Sequence, residues 1–378
     1  MKLPLIPSDI QNQRALVRVD FNVPMDGVRI VDDFRILRTL PSIEGLQAQG
    51  AAVVLMAHLD TDGERPSLKP IADHCTAHIK NFRFIADVAG SEAKEAVRAL
   101  SAGEVLMLEN LRLDDGETAN TSEFARRLAS FGDFYVNEAF SASHRKHASI
   151  VGVPQYISAY AGPLFQTEVE NLSRALNPPR PFLFVLGGKK ISTKVPLVEK
   201  FLKKADTIVI GGAAAGALLK SRGFDAITTP TEELAVMEKF ANAPTIITPL
   251  DVAVERGGKR LVVESAAIQA GDMIYDLGPE TTALIAQYAK GSKFILWNGP
   301  VGYCEKGFVD GTKALAEAFA NSGAQVVVGG GETVSFLREW GYLDRFSFVS
   351  TGGGAMLAFL VSETLPGIEA LARRNPKS

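Results

Sequence analysis

The chain has 378 residues, of which 46% are hydrophobic and 22% charged, and its net charge is −3. That length suggests about two domains, and the balance suits large cores while offering no global basic field for nucleic acid. The two cysteines, Cys75 and Cys304, are too few and too distant for a disulfide framework, and no metal-ligand spacing surrounds them.

MKLPLIPSDI at the start lacks an apolar core of the signal-peptide kind, and no apolar run is long enough to span a bilayer. A cytoplasmic location without membrane attachment is therefore expected. Arg14–Asp20 (RALVRVD) reads as a strand followed by the turn FNVP. Asp20 and Asn22 fall where strand gives way to loop, the edge at which open α/β sheets bind ligands. They either satisfy turn N–H groups or hold a hydroxyl-bearing ligand. Asp32–Leu46 is amphipathic, with Arg35 and Arg38 on one face. Ala52–Met56 is a buried strand that delivers His58 to the same edge, and Arg65 follows in a polar turn. Val105–Leu108 ends in Glu109-Asn110-Leu111-Arg112. Phe134–Asn137 leads into EAFSASHRKHAS, where His144, Arg145, Lys146 and His147 crowd one loop. Arginines gathered at a sheet edge suit a small, multiply anionic ligand, because the guanidinium fork matches carboxylate and phosphate.

Pro163 opens a helical stretch that ends in NPPRP at Asn177–Pro181, where a helix cannot continue. This reads as a connecting helix and a stiff linker between domains. Phe182–Leu186 then forms a short apolar strand that stops at Gly187-Gly188, before Lys189, Lys190, Ser192, Thr193 and Lys194. Strand, glycine turn, lysines and helix start together make an anion site. Lys190 and Lys194 would share a face on a helical first turn. The glycine turn recurs after Thr207–Ile210 (Gly211-Gly212), Phe294–Trp297 (Asn298-Gly299), Gln325–Val328 (Gly329-Gly330-Gly331) and Phe346–Val349 (Gly352-Gly353-Gly354). None has Walker A spacing or a true G-x-G-x-x-G with its acidic partner, which weakens a nicotinamide-dependent oxidoreductase reading. The tail Leu357–Arg374 is helical in pattern. One half thus offers groups for a small polyanion and the other offers groups for a polyphosphate. Phosphoryl transfer between two ligands is the economical reaction, with magnesium bridging the phosphates and Glu332 as its best carboxylate.

In order, RVDFNVP (Arg18–Pro24), ENLR (Glu109–Arg112), HRKHAS (His144–Ser149), LGGKKISTK, WNGPVG (Trp297–Gly302), GGGET and STGGGA resemble the phosphoglycerate kinase family nearly end to end. The resemblance implies α/β architecture: two doubly wound, Rossmann-like parallel-sheet domains joined by a connecting helix, with the active-site cleft between them. On it, 1–165 is a phosphoglycerate-binding domain with 362–378 packing back on it, 166–181 is helix and linker, and 182–361 is a nucleotide-binding domain. The implied reaction moves a phosphoryl group reversibly from 1,3-bisphosphoglycerate to ADP, giving 3-phosphoglycerate and ATP with Mg2+, in a monomer with small-molecule partners only.

By motif, Asp20 and Asn22 would hold the glycerate end. His58, Arg112 and Arg145 would hold the non-transferring phosphate, and Arg35 and Lys190 would face the transferring group. Lys194 would hold nucleotide phosphates, Gly211 and Gly212 would line the adenine pocket, and Glu305 would take the ribose. Asn298, Gly330, Gly331, Glu332 and Thr333 would sit at phosphates and metal, and Gly353 and Gly354 would donate N–H groups in transfer. The chain departs from the family pattern at AHLDTDGERPS, where Thr61 stands in place of an arginine, so that either Arg65 substitutes from a shortened loop or the contact is lost. Glu332 replaces the usual aspartate, displacing its carboxylate by about 1.5 Å, and NEAFSASHR carries Ser141 for glycine. These departures keep open an alternative, a non-catalytic nucleotide- or phosphoglycerate-binding protein on the same scaffold.

Overall fold

A computed structural model describes residues 3–61, 63–188, 191–224 and 227–373. The chain divides into two compact units, one running to Glu170 and resuming at Thr364, the other Asn171–Glu363.

The first unit is built on a six-stranded sheet. Its strands are β1 (Arg14–Arg18), β2 (Ala52–Met56), β3 (Phe82–Phe84), β4 (Val105–Met107), β5 (Phe134–Asn137) and β6 (Ala159–Ala161). They lie in the order β3-β4-β2-β1-β5-β6 and all pair in parallel. Near-continuous apolar runs produce this because parallel sheets are covered on both faces. Val17, Val53, Leu55 and Val136 pack with Ile36 and Ile43 of α1 (Phe34–Ala48). Arg18 lies level with Met56 of β2 and Asn137 of β5. The loops after these strands therefore open at one edge, on either side of β1.

The second unit repeats the plan with five parallel strands. Its main strands are β7 (Phe182–Leu186), β8 (Thr207–Ile210), β12 (Phe294–Asn298), β13 (Gln325–Gly329) and β14 (Phe348–Val349), ordered β8-β7-β12-β13-β14. Trp297 meets Phe319 edge to face at 5.3 Å in its core, and Phe184 lies 4.7 Å from Phe201. Beside this sheet stands a small antiparallel one of β9 (Asp251–Arg256), β10 (Lys259–Glu264) and β11 (Ile274–Leu277), which the apolar pattern did not predict. Gly257 and Gly258, at φ +54° and +72°, make the tight hairpin between β9 and β10.

Helix α2 (Pro163–Leu176) leads from the first unit into the second. The tail is not one continuous helix. It divides into α6 (Gly354–Ser362) and α7 (Pro366–Ala372), because Glu363 takes a left-handed conformation at φ +63° and Pro366 starts a new turn. No single helix among the described residues is long and apolar enough to cross a membrane.

Candidate active site

At the edge of the first sheet, Asp20 is buried just past β1. Its carboxylate pairs with Arg35 Nη1 at 3.1 Å, and Ser141, beyond β5, donates a hydrogen bond to it. Arg35 also donates to the Asn22 carbonyl at 2.9 Å, and the Asn22 side-chain oxygen accepts from Asp60 N–H at 3.0 Å. The serine that replaces the family's loop glycine is thus an additional donor to Asp20.

Behind these groups lies a buried basic network that the motif reading entered only in part. His58, 3% exposed, has Arg18 Nη2 at 2.9 Å from Nδ1 and Arg145 Nη1 at 3.3 Å from Nε2. Burial, then the charges of Arg18, Arg112, Arg145 and His147, hold its pKa well below the ordinary value. The ring is therefore neutral and can accept at only one nitrogen. The shorter contact assigns the lone pair to Nδ1, which leaves Nε2–H and the Arg145 guanidinium facing each other as two donors. An acceptor such as an anion would suit both. Arg112 stands nearby, paired with Asp60 at 3.2 Å, and its buried Nε has no partner among the described residues.

Arg18 is held in turn. Its Nε donates to Ser149 Oγ at 2.9 Å, and Ser149 donates to Glu117 through Oγ at 2.6 Å and through its N–H at 2.8 Å. The Tyr135 hydroxyl donates to the Ser149 carbonyl at 2.8 Å. Arg18, Glu117 and Ser149 were not among the predicted site residues, although an arginine set between Val17 and Val19 at the end of an apolar run is a signal that could have found the first. Arg65 pairs with the exposed Asp115 at 2.6 Å. Thr61 and Glu64 close a tight turn through mutual backbone hydrogen bonds.

The second unit's strands also end level, Asn298 lying beside Leu186 and Gly329. Each following turn contains a glycine with positive φ: Gly188, Gly212, Gly299, Gly330 and Gly353. At Gly212 the requirement is twofold, since φ is +62° and a Cβ would come within 2.5 Å of the Gly188 carbonyl oxygen. Lys194 donates from Nζ to the Gly187 carbonyl at 2.6 Å. Burial lowers its pKa, opposed by the charge of Glu332. Lys190 and Lys194 would share a face only on a helical first turn. Ser192–Lys194 is a 3-10 turn, and α3 (Val195–Leu202) begins after it. Pro196 has no N–H to bond back to Ser192, so the α ladder cannot extend further toward the N-terminus. Lys190, the other lysine of that pair, lies outside the described residues.

A cavity of about 340 Å³ opens among these turns, lined by Gly212, Met273, Tyr275, Tyr303, Glu305 and Glu332. Tyr275 stacks on Phe308 at 4.7 Å, and Lys306 Nζ lies 5.1 Å from the Tyr275 ring and 5.3 Å from that of Tyr303. The tyrosines were missed because nothing in the local sequence brings 275 beside 303. Gly211 does not line the cavity. A Cβ there would lie 2.6 Å from Val301, so it serves close packing. Asn298 is buried at the end of β12, its amide nitrogen 3.9 Å from Met356 Sδ. Gly331 and Glu332 form the first turn of α5 (Gly331–Glu339), with Thr333 buried behind them and its Oγ1 unpartnered among the described residues. Gly353 and Gly354 begin α6.

Among the described residues no group of three or more His, Cys, Asp or Glu side chains could hold a metal by itself. Magnesium bound mainly by nucleotide phosphates needs only one or two carboxylates. Glu332, exposed on the cavity wall and next in the chain to Thr333 with its unpartnered buried hydroxyl, fits that lesser demand.

The phosphoglycerate kinase family model matches residues 6–363. The phosphoglycerate kinase of Moorella thermoacetica is 39% identical over 391 residues, covering 99% of this chain and 100% of that protein. That of Desulforudis audaxviator is 41% identical, covering 97% and 98%. The solved structure of the Coxiella burnetii phosphoglycerate kinase superposes with a TM-score of 0.84 at 36% identity, covering 97% of this chain and 98% of that one. The Pyrococcus horikoshii enzyme does so with 0.87 at 30%, covering 96% of each.

Proposed function

From the premise that this chain belongs to the phosphoglycerate kinase family, we propose that it transfers a phosphoryl group reversibly from 1,3-bisphosphoglycerate to ADP. The products are 3-phosphoglycerate and ATP, and the nucleotide carries magnesium. The observation that carries this reading is the meeting of Arg18, Arg145 and Arg112 around the neutral His58 at one sheet edge. Such a cluster suits a compact phosphate.

In the proposed assignment, His58, Arg112 and Arg145 bind the non-transferring phosphate, with Arg18 locking the His58 tautomer. Asp20 and Asn22 orient the glycerate hydroxyl and carboxyl, and Asp20 also aims Arg35 at the transferring group. In the second unit Gly212, Tyr275 and Tyr303 enclose the base, Glu305 meets the ribose, and Lys194, Asn298 and Thr333 meet phosphates. Glu332 would hold the magnesium, which supplies charge neutralisation on the phosphates when bound. Lys190 would act on the transferring group, and Gly353 and Gly354 would offer backbone N–H groups to it.

No general base is required. The acceptor of the reverse reaction is a carboxylate, already ionised at neutral pH. Catalysis then consists of alignment and charge stabilisation, with the reacting atoms brought to about 3–3.5 Å. The test is steady-state turnover of 3-phosphoglycerate with ATP across a magnesium titration. Saturation in both substrates with magnesium dependence is the expected result. Folded protein that binds both ligands without turnover would instead indicate the non-catalytic binding protein.

A further inference from the structure

Glu138, in the loop after β5, is 2% exposed, and none of the roles above uses it. Its Oε2 accepts from the N–H of Phe165 at 3.0 Å, and the N–H of Leu164 also hydrogen-bonds the carboxyl. It therefore satisfies backbone donors that the first turn of α2 would otherwise leave unpaired. The carboxyl lies flat against Gly162, where a Cβ would come within 2.1 Å of Glu138 Cδ. Ser42, midway along α1, lies close enough to lower its pKa, while Oε1 has no hydrogen-bond partner among the described residues. Two residues on, Phe140 packs edge-on against Phe165 with centroids 5.6 Å apart. The same loop continues to Ser141, which bonds Asp20, and to Arg145, which meets His58. One buried carboxylate thus joins the helix carrying Arg35, the loop carrying Ser141 and Arg145, and the start of the helix that leaves this unit.

The direction of that helix matters. With 1.5 Å of rise per residue, the 14 residues of α2 span about 21 Å, and a tilt of roughly 5° at the start moves the far end by about 2 Å. Phosphoryl transfer tolerates less error than that. Resting on the function proposed above, we propose that Glu138 is a positioning residue: it ties the first turn of α2 to the Ser141–Arg145 loop, so that an anion on the loop and the direction of α2 depend on each other. A carboxyl presents only acceptors to these N–H groups while it is ionised. Burial raises its pKa to about 7, opposed only by nearby Ser42 and the N–H groups of Phe165 and Leu164, with no charged side chain of α1, α2 or the loop contributing.

The experiment compares full-length wild type with the near-isosteric E138Q and with E138A. Turnover of 3-phosphoglycerate with ATP and magnesium is followed from about pH 6 to 8. Amide exchange over residues 164–167 is followed with and without 3-phosphoglycerate. In E138Q we expect kcat to fall about tenfold, the KM for ATP to stay within about twofold, and the wild-type step in kcat near neutrality to vanish. We expect 3-phosphoglycerate to slow exchange at the start of α2 in wild type and not in folded E138Q. E138A should repeat the loss if it folds, and E138Q decides if it does not. An unchanged kcat and pH profile in E138Q overturns the proposal. So does exchange protection that is absent in wild type or equal in E138Q, whatever the turnover. Absence of turnover in wild type overturns the phosphoglycerate kinase assignment, and the exchange measurement then decides on Glu138 alone.

Discussion

Lys194 is a half-buried ammonium with a carbonyl partner and a carboxylate within electrostatic reach. Such a group is ready for a phosphate, which would restore the charge stabilisation that burial removes. Lys194→Ala should raise the KM for ATP by about tenfold or more and leave that for 3-phosphoglycerate within about twofold. Initial rates with each substrate varied in turn decide this. Asp276 gives a stability prediction in the same unit. Its oxygens accept from Leu277 N–H and Gly311 N–H, each at 2.9 Å, and burial pushes its pKa to about 7. A carboxyl whose folded pKa exceeds its unfolded value binds more protons when folded. Stability from Asp276 is therefore fullest below about pH 4 and declines as the pH rises to about 7, by roughly 4 kcal/mol at most. Denaturant titrations at pH values across that window should show a flatter slope for Asp276→Asn than for wild type. His58 works in the opposite sense. Its lowered pKa means that stability is held above the unfolded value near 6.5 and lost as the pH falls below it.

At the level of elements, strand ends set the chemistry. Gly212→Ala places a methyl group against the Gly188 carbonyl and strains a positive φ. A loss of about 1–3 kcal/mol in stability and a weakening of ADP binding by about tenfold or more are expected, read by thermal unfolding and calorimetry. Both parallel sheets were legible because runs such as Ala52–Met56 and Phe182–Leu186 are apolar throughout, and because glycine or charge stops them abruptly. The antiparallel sheet was not. Its β10 carries Lys259, Arg260 and exposed Leu261 and Val262, so no hydrophobic alternation marks it, and only Gly257-Gly258 hinted at a hairpin. Of the site, Asp20, Arg35, His58, Arg112 and Arg145 could be read from ordered motifs. Glu117 could not, and Arg18 and Ser149 stood only at motif ends, because the value of all three lies in mutual burial across β1, a short helix and a loop far apart in sequence. The tyrosine wall of the cavity was hidden for the same reason.

For the whole molecule, each unit has its own sheet, core and proposed ligand, so ligand effects should be regional. At about a hundred times its dissociation constant a ligand adds roughly 2.7 kcal/mol to the state that binds it. Hydrogen exchange should therefore show 3-phosphoglycerate protecting strands β1–β6 together with α7, and ADP protecting β7, β8, β12 and β13. Protection by ADP confined to the first unit would refute the proposed division of substrates.

The interrupted course of the first unit has a consequence for synthesis. The second unit is one uninterrupted stretch, Asn171–Glu363, whereas the first is resumed only at Thr364. Helix α7 supplies buried Ile368 and Leu371, and Gly367 N–H donates to the Ser143 carbonyl at 2.9 Å, inside the loop that also carries Arg145. On a ribosome the half made first must therefore wait, its Ser141–Arg145 loop unbraced, until the half made second has emerged. The later unit can complete its fold before the earlier one, and a chain arrested before Pro366 would pair a finished second unit with an unsecured basic cluster around His58.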